Sequence, residues 1–430
     1  MKHRKSASVC VLVCLAALRA PAQTTATPDV PKVLTLETAE ELLMQRSQAV
    51  AASRYQLEVN QALRQIAGYK PNPTAHIGAE QVPFYSPVAG SAPRLFATNA
   101  DAGANPVYTA MVTRTIERGG KRELRSQQAD AVVEQSRAQI ADTFRGQLFQ
   151  LRQAFTTALL ARENLKLAQT IDTQYEQTEK LTNIRLKAGD VPEVELFRAR
   201  AARLPYKQAV LDAQTAYQQA IRDILNLLNA RTGQVEVDGN FQSKPVTSSL
   251  EELRQLALRE RPDVAAARNA VRATEKGSAL AVAQKTRDIS LGVEYQRVGQ
   301  DHSAGVVAEF PLFVYNDQKA AATQAVAQQR SAEAQLRQAE TQALTDVEKA
   351  YQGYLAAQKA LTIYSGDGLA TTEKVRSILE FSYQKGEASL FELLDAQRIA
   401  GQSAVAANQA KAAYALAIWQ LEQAIGRQLP

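Results

Sequence analysis

Two hydrophobic periods divide this chain. In the longer stretches apolar side chains return at steps of three and four: Phe144, Leu148, Leu151, Phe155 and Leu159 in one, and Leu344, Val347, Tyr351 and Tyr354/Leu355 in another. That spacing is the seam of a coiled coil. From about Lys121 to Lys187 there is no proline and a single glycine, Gly146. The counterpart, about Gln318 to Lys385, carries Gly353, Gly366 and Gly368 but again no proline. Ala, Gln, Leu, Arg and Glu fill these stretches, and all are strong helix formers. A continuous helix of about 65 residues is on the order of 100 Å long, far beyond the mean of about 11–12 residues. Between the helical stretches the period falls to two. Ile289, Leu291, Val293 and Tyr295 alternate with Ser290, Gly292, Glu294 and Gln296, and Val306, Ala308 and Phe310 alternate with Val307 and Glu309. Gly299 to Ser303 supplies the turn of this hairpin. A weaker pair, Thr74 to Val82 and Val107 to Ile116, flanks a loop rich in Pro, Gly, Ala, Ser and Asn at Ser86 to Pro106.

The pattern occurs twice. Leu36-Glu37, Leu42, Val50-Ala51-Ala52 and Arg54 return as Leu250-Glu251, Leu256, Val264-Ala265-Ala266 and Arg268, a spacing of 214. Gly189, Glu195-Leu196, Ala199, Ala216-Tyr217 and Ala220-Ile221 return as Gly386, Glu392-Leu393, Ala396, Ala413-Tyr414 and Ala417-Ile418, a spacing of 197. The difference, 214 less 197, gives the first half 17 extra residues. They are expected at its hairpin tip, where insertions disturb least. Each half therefore reads helix, strand, strand, very long helix, turn, helix. Four strands cannot close a barrel, and an open sheet with one apolar face leaves its edges unpaired. Long helices with apolar seams need partners as well. Both features point to a homo-oligomer that completes a barrel and a helical bundle together; with an apolar outer band the barrel would suit a bilayer.

The N-terminus narrows the setting. Lys2, Arg4 and Lys5 precede the apolar run Val9–Leu18, and Ala20-Pro21-Ala22 offers a cleavage site, the layout of a secretory signal. An N-terminal anchor or a buried helix is the alternative. Both cysteines, Cys10 and Cys14, lie inside that segment, so a processed chain needs no disulfide. The segment also holds four of the 50 bases and no acid; without it 46 bases face 44 acids, a net of about +2, and a nucleic-acid partner loses its support. After Leu18 no stretch offers 18 uninterrupted apolar residues, so any crossing of a membrane falls to strands. His76 and His302 have no Cys or acidic cluster at metal spacing, and no nucleophile–base motif or phosphate loop is present. No catalytic residue, cofactor or metal is assigned. Trp419, in an apolar helix, is expected in packing.

The two helical turns carry the most specific residues. Gly189 and Gly386 end the long helices as left-handed stops. Asp190 with Glu193, and Ser389 with Glu392, have capping-box spacing, and Pro192 is tolerated near a first turn. Tyr383-Gln384-Lys385-Gly386 with Phe391-Glu392-Leu393-Leu394-Asp395-Ala396-Gln397 resembles the periplasmic tip of the TolC-like outer-membrane efflux family. Leu186-Lys187-Ala188-Gly189 with Val194-Glu195-Leu196 and Ala199 resembles its first-repeat partner; Phe310-Pro311-Leu312-Phe313 and Gly119-Gly120-Lys121-Arg122 also fit.

The resemblance covers residues 34–426 and implies a non-enzymatic fold, mainly α with a small membrane β-barrel portion. Three chains would complete a 12-stranded barrel in the outer membrane, above a helical tunnel reaching into the periplasm. It divides the chain into a signal peptide at 1–22, a first repeat at 23–229, an equatorial linker at 230–249 and a second repeat at 250–430. Strands are expected at about 73–84, 106–117, 287–298 and 303–313, and tips near 187–192 and 384–389. The implied function is a passive exit duct of a tripartite efflux or type I secretion system. Its implied partners are two further copies, outer-membrane lipid, a periplasmic adaptor and an inner-membrane pump. The adaptor would dock at the tips, near Gly189, Asp190, Gly386 and Ser389. Glu392 and Asp395 correspond to an acidic ring at the constriction, and Tyr383 with Glu195 to a contact holding it shut. Ala388 stands where the family's gating arginine would be. Glu392 also reads simply as a capping-box acid. A periplasmic coiled-coil scaffold without a pore is the alternative function; it accounts for the helices but not for the strands.

Overall fold

The computed structural model describes residues 30–81, 106–230, 235–241, 245–365 and 367–429. The signal segment at 1–22, most of the first hairpin loop and parts of the 230–249 linker lie outside the described residues. In the first half β1 (Val33–Leu34) leads into α1 (Leu36–Arg46) and α2 (Gln48–Ala67). A hairpin, β2 (Thr74–Glu80) and β3 (Val107–Ile116), follows, then α3 (Lys121–Ala188), α4 (Glu193–Leu227) and β4 (Glu236–Val237). The second half repeats the order except that two helices stand where one very long helix is expected: α5 (Leu250–Glu260), α6 (Pro262–Ala283), β5 (Ile289–Val298), β6 (Asp301–Glu309), α7 (Lys319–Ser365), α8 (Asp367–Lys385) and α9 (Leu390–Ile425). The α3 helix runs for 68 residues, about 100 Å at 1.5 Å per residue.

The strands join into one antiparallel sheet in the order β2-β3-β5-β6. The central pair aligns Val112 with Val293 and Ile116 with Ile289. The alternation has the outcome that period two dictates. One face carries Ile77, Val112, Val293 and Val306, and all are exposed, Val306 at 87% and Val293 at 65%. The other carries Thr109, Met111, Thr113, Glu294 and Gln296. Gly292 sits where β3 and β5 press closest; a Cβ there would lie 2.6 Å from Thr113 Cγ2, so no larger residue fits.

The largest core lies away from the sheet, where α1, α3, α4 and the short parallel pair β1–β4 meet around Leu34, Leu43, Leu151, Phe155, Ile221 and Ile224. The equivalent core of the second half gathers Leu253, Ala257, Val347, Leu421 and Ile425. Ala39 and Leu43 of α1 have become Leu253 and Ala257 of α5, all four fully buried. The repeat conserved the volume of the pair and exchanged its order, a swap that close packing tolerates when both sides adjust. Arg152 is almost fully buried between the halves. Its guanidinium pairs Glu40 of α1 and Glu422 of α9 and lies 4.4 Å from the ring centroid of Trp419. Burial is the main influence on Glu422 and pushes its carboxyl upward. Arg261 makes a second such centre, held by Asp263, by Asp346 at 2.9 Å and by the Ala424 carbonyl at 3.2 Å.

Removing Arg152 would leave two largely buried acids without their shared cation. Arg152→Ala is expected to destabilise the chain by about 3 kcal/mol. Thermal unfolding followed by circular dichroism checks it, with Arg268→Ala, on the exposed α6 surface, staying within about 0.5 kcal/mol of the parent.

Candidate functional site at the hairpin tips

Both long helices stop in the same way. Gly189 and Gly386 take φ values of 81° and 82°. The N–H of Asp190 reaches the Arg185 carbonyl at 2.9 Å, and that of Glu387 reaches Ser382 at 2.9 Å, so the last carbonyls of α3 and α8 are satisfied by one motif used twice. The restarts differ. At the second tip Ser389 caps α9 and the capping box closes in both directions. At the first tip the expected box between Asp190 and Glu193 does not form. Pro192 is the N-cap of α4, with no side-chain cap bond, which puts Asp190 two residues outside the helix. Proline fixes the extended approach to α4 but carries no side-chain acceptor.

The Glu392 carboxylate accepts from the Ser389 N–H at 2.8 Å and from its hydroxyl at 2.7 Å. These two bonds, the backbone one first, hold its carboxyl below the ordinary value. Asp395, one turn on, is taken by Arg398 at 2.6 Å. Within the chain, then, neither acid of the expected ring is without a partner.

Tyr383 is fully buried. Its hydroxyl does not meet Glu195, as the sequence led one to expect, but Thr182 of α3 at 2.8 Å. Glu195 sits in the first turn of α4, half-buried, its carboxylate making no hydrogen bond or ion pair among the described residues. Its acid at a helix N-terminus is favourable without further partners. The Tyr383 ring is covered by Arg185, whose guanidinium lies 4.8 Å from the ring centroid and donates to the Tyr383 carbonyl at 3.2 Å. Around this contact Ala199, Leu390 and Leu393 close a small apolar core.

The contact is one rung of a polar seam. The α3 helix presents Tyr175, Thr178 and Thr182 inward at steps of three and four. Thr178 accepts from Gln397 Nε2 at 2.9 Å. The Tyr175 hydroxyl lies 3.1 Å from that of Tyr206 and 3.3 Å from the Leu394 carbonyl oxygen. Burial, more than these contacts, drives the Tyr175 hydroxyl well above its ordinary range. Gln397 Oε1 is buried with no hydrogen-bond partner. Outside the seam, Arg203 of α4 grips Asp172 at 2.8 Å and Glu176 at 2.8 Å, and its hydrogen bond is the main cause of a lowered Asp172 carboxyl. Thr178, Thr182, Arg185 and Gln397 were missed in the sequence. The available clue was the run Tyr175, Thr178, Thr182 at a/d spacing.

Residues 253–427 match the sequence model of the family described as outer membrane efflux protein. The cobalt-zinc-cadmium resistance protein CzcC of Cupriavidus metallidurans is 29% identical over 218 residues, 48% of this chain and 51% of that relative. The chain thus spans about half the length of the curated relative it matches. Among solved structures, CusC superposes with a TM-score of 0.76 at 15% identity, covering 91% of this chain and 92% of that one. The open-state outer membrane channel MtrE of Neisseria gonorrhoeae gives 0.75 at 17% identity, covering 92% and 89%. At these identities the likeness is one of fold.

Two substitutions separate the tips. Ser389→Ala is expected to cost about 1 kcal/mol, read as faster amide exchange in the first turn of α9, whereas Asp190→Ala leaves the first turn of α4 unchanged. Because the Glu392 carboxyl titrates below its ordinary 4.5, the cap is complete above that pH and is lost as pH falls through the depressed value. Protection factors at α9, with the intrinsic pH dependence of exchange divided out, that do not fall as the Glu392 carboxyl titrates would contradict this.

Proposed function

We propose that this chain, which belongs to the outer membrane efflux protein family, is the outer-membrane exit duct of a tripartite efflux or type I secretion system. The observation that carries the reading is the four-stranded sheet: apolar on one exposed face, polar on the other, unpaired at both edges among the described residues, and followed by long helices, α3 alone being about 100 Å. Backbone groups at a sheet edge find no partner in hydrocarbon, so an open sheet cannot stay in a bilayer. Three copies remove the edges by pairing β2 of one subunit with β6 of the next, giving twelve strands with the apolar face toward lipid. The same assembly covers Tyr55, Val59 and Leu63, which α2 leaves exposed. Below the membrane, the six helical hairpins of the three copies, two from each, would line a tunnel ending at the tips.

The duct has no chemistry of its own; a family of efflux channels transports rather than catalyses. An inner-membrane pump drives the cargo, and a periplasmic adaptor docks helix against helix at the tips near Gly189, Asp190, Gly386 and Ser389. Tyr383, Thr182 and Arg185 form the closing contact between the hairpins, and Arg185 supplies the cation that is absent at Ala388. Glu392 and Asp395 of three subunits would ring the aperture. Their pairing with Ser389 and Arg398 makes that ring a weaker cation filter than six free carboxylates.

The closing contact is tested by single-channel conductance in planar bilayers. Thr182→Val/Tyr383→Phe is expected to raise conductance several-fold, while Glu195→Ala leaves it at the parent value. Unchanged conductance in the double variant removes the lock. Heat-resistant trimers in the outer-membrane fraction support the duct; release of the chain as a soluble periplasmic protein would favour a scaffold without a pore.

A further inference from the structure

Where β3 turns into α3, a cleft of about 320 Å³ opens on the surface, lined by Lys70, Pro71, Arg114, Ile116, Glu117 and Arg122 among others. We infer that this cleft binds the phosphate of a lipid headgroup in the periplasm-facing leaflet. The inference rests on the outer-membrane reading above.

Three observations converge there. The first is charge without partners. Lys70 lies between α2 and β2, Arg114 on β3 and Arg122 in the first turn of α3. All three are exposed, and among the described residues none of them has an acidic partner. The acids around them are already engaged: Glu117 takes Arg125 at 3.0 Å, and Asp288 takes Lys121 at 2.9 Å. Glu123 also lines the cleft; it accepts from the neutral Gln127 amide at 3.0 Å and so offsets one of the three cations, which leaves the cleft net positive. Three cations sharing one cleft repel one another unless an anion joins them.

The second is the register. Ala110, Val112, Arg114 and Ile116 share the outward face of β3, and Arg114 stands opposite Leu291 in an otherwise apolar row. It falls two residues from the end of the strand nearest the helices. A charge on the lipid-facing side of a barrel is tolerated at the interface and not at the midplane. Its position therefore marks the headgroup level.

The third is what surrounds the cleft. Ile66, Tyr69, Ile116 and Leu291 are exposed beside it. A ligand held here presents a phosphate to three cations and an apolar tail to this surface. A phospholipid has both parts and inorganic phosphate only one.

The test uses the full chain extracted in detergent, titrated with phosphatidylglycerol, with lipid retention read by native mass spectrometry. The parent is expected to retain the lipid. Lys70→Gln/Arg114→Gln/Arg122→Gln is expected to weaken retention more than about tenfold, and millimolar inorganic phosphate to leave it unchanged. Arg254→Gln/Arg259→Gln/Arg268→Gln removes the same charge elsewhere and should retain lipid like the parent. Equal retention by the cleft variant and the parent overturns the inference. So does full displacement by inorganic phosphate, which would make the cleft a free-anion site. Lys70→Gln and Arg122→Gln singly, each expected to give a partial loss, keep the test readable should the triple variant fail to fold. Fractionation of the parent reports on the premise separately. A chain found outside the outer membrane that still holds lipid through these cations would sink the location and not the cleft.

Discussion

The structure depends on supporting one helix along its whole length. An isolated helix of 68 residues gains nothing from its apolar stripe until something covers it, because most helical stability in proteins comes from packing. The α3 helix meets α2 and α6 near the sheet, α1, α4 and α9 at the large core, and α4 with α9 toward the tip. Its buried face changes to suit each: Val133 and Ser136 first, then Leu151, Arg152, Phe155, Ala158 and Leu159, then Ile171, Tyr175, Thr178 and Thr182. The middle stretch is wide because partners press from two sides. The flanking stretches are narrow, and there each partner takes a single stripe.

The interior changes character along that axis. At the two cores it is mainly apolar, with Arg152 and Arg261 and their acids as buried ion centres. Toward the tip it becomes hydroxyls and an amide between small residues. Hydrogen-bonded pairs such as Thr182 with Tyr383 fix the position of one hairpin against the other. They contribute less net stability than an equal volume of buried Leu and Phe, because each bond replaces one made to water. A seam of this kind sets geometry firmly and separates at modest cost. Its unmatched acceptor, Gln397 Oε1, adds to the cost of keeping the seam closed.

Duplication set the plan and left the chemistry free to diverge. Both long helices end on the same left-handed glycine motif, since only a residue without Cβ takes that backbone at no penalty. The restarts, the buried pairs Ala39/Leu43 and Leu253/Ala257, and the ion centres at Arg152 and Arg261 all differ between halves. These are side-chain solutions to one backbone problem, and each half found its own.

From the sequence alone came the element order, the hairpins, the glycine stops and the capping box at Ser389. All of these follow from periods or spacings within a few residues of one another. The partner of Tyr383 did not. Glu195 was the natural choice from the repeat, but which residue of α3 or α4 faces Tyr383 depends on how helices some 200 residues apart rotate about their axes. A rotation of one residue on a helix turns a side chain by about 100°. The pairing of Asp395 with Arg398, three residues away, was legible in principle; the choice of Thr182 over Glu195, and the three cations brought to one cleft from the α2–β2 link, β3 and α3, belonged to the tertiary structure. Local spacing determines what a segment becomes, and only packing decides which of its faces meets which.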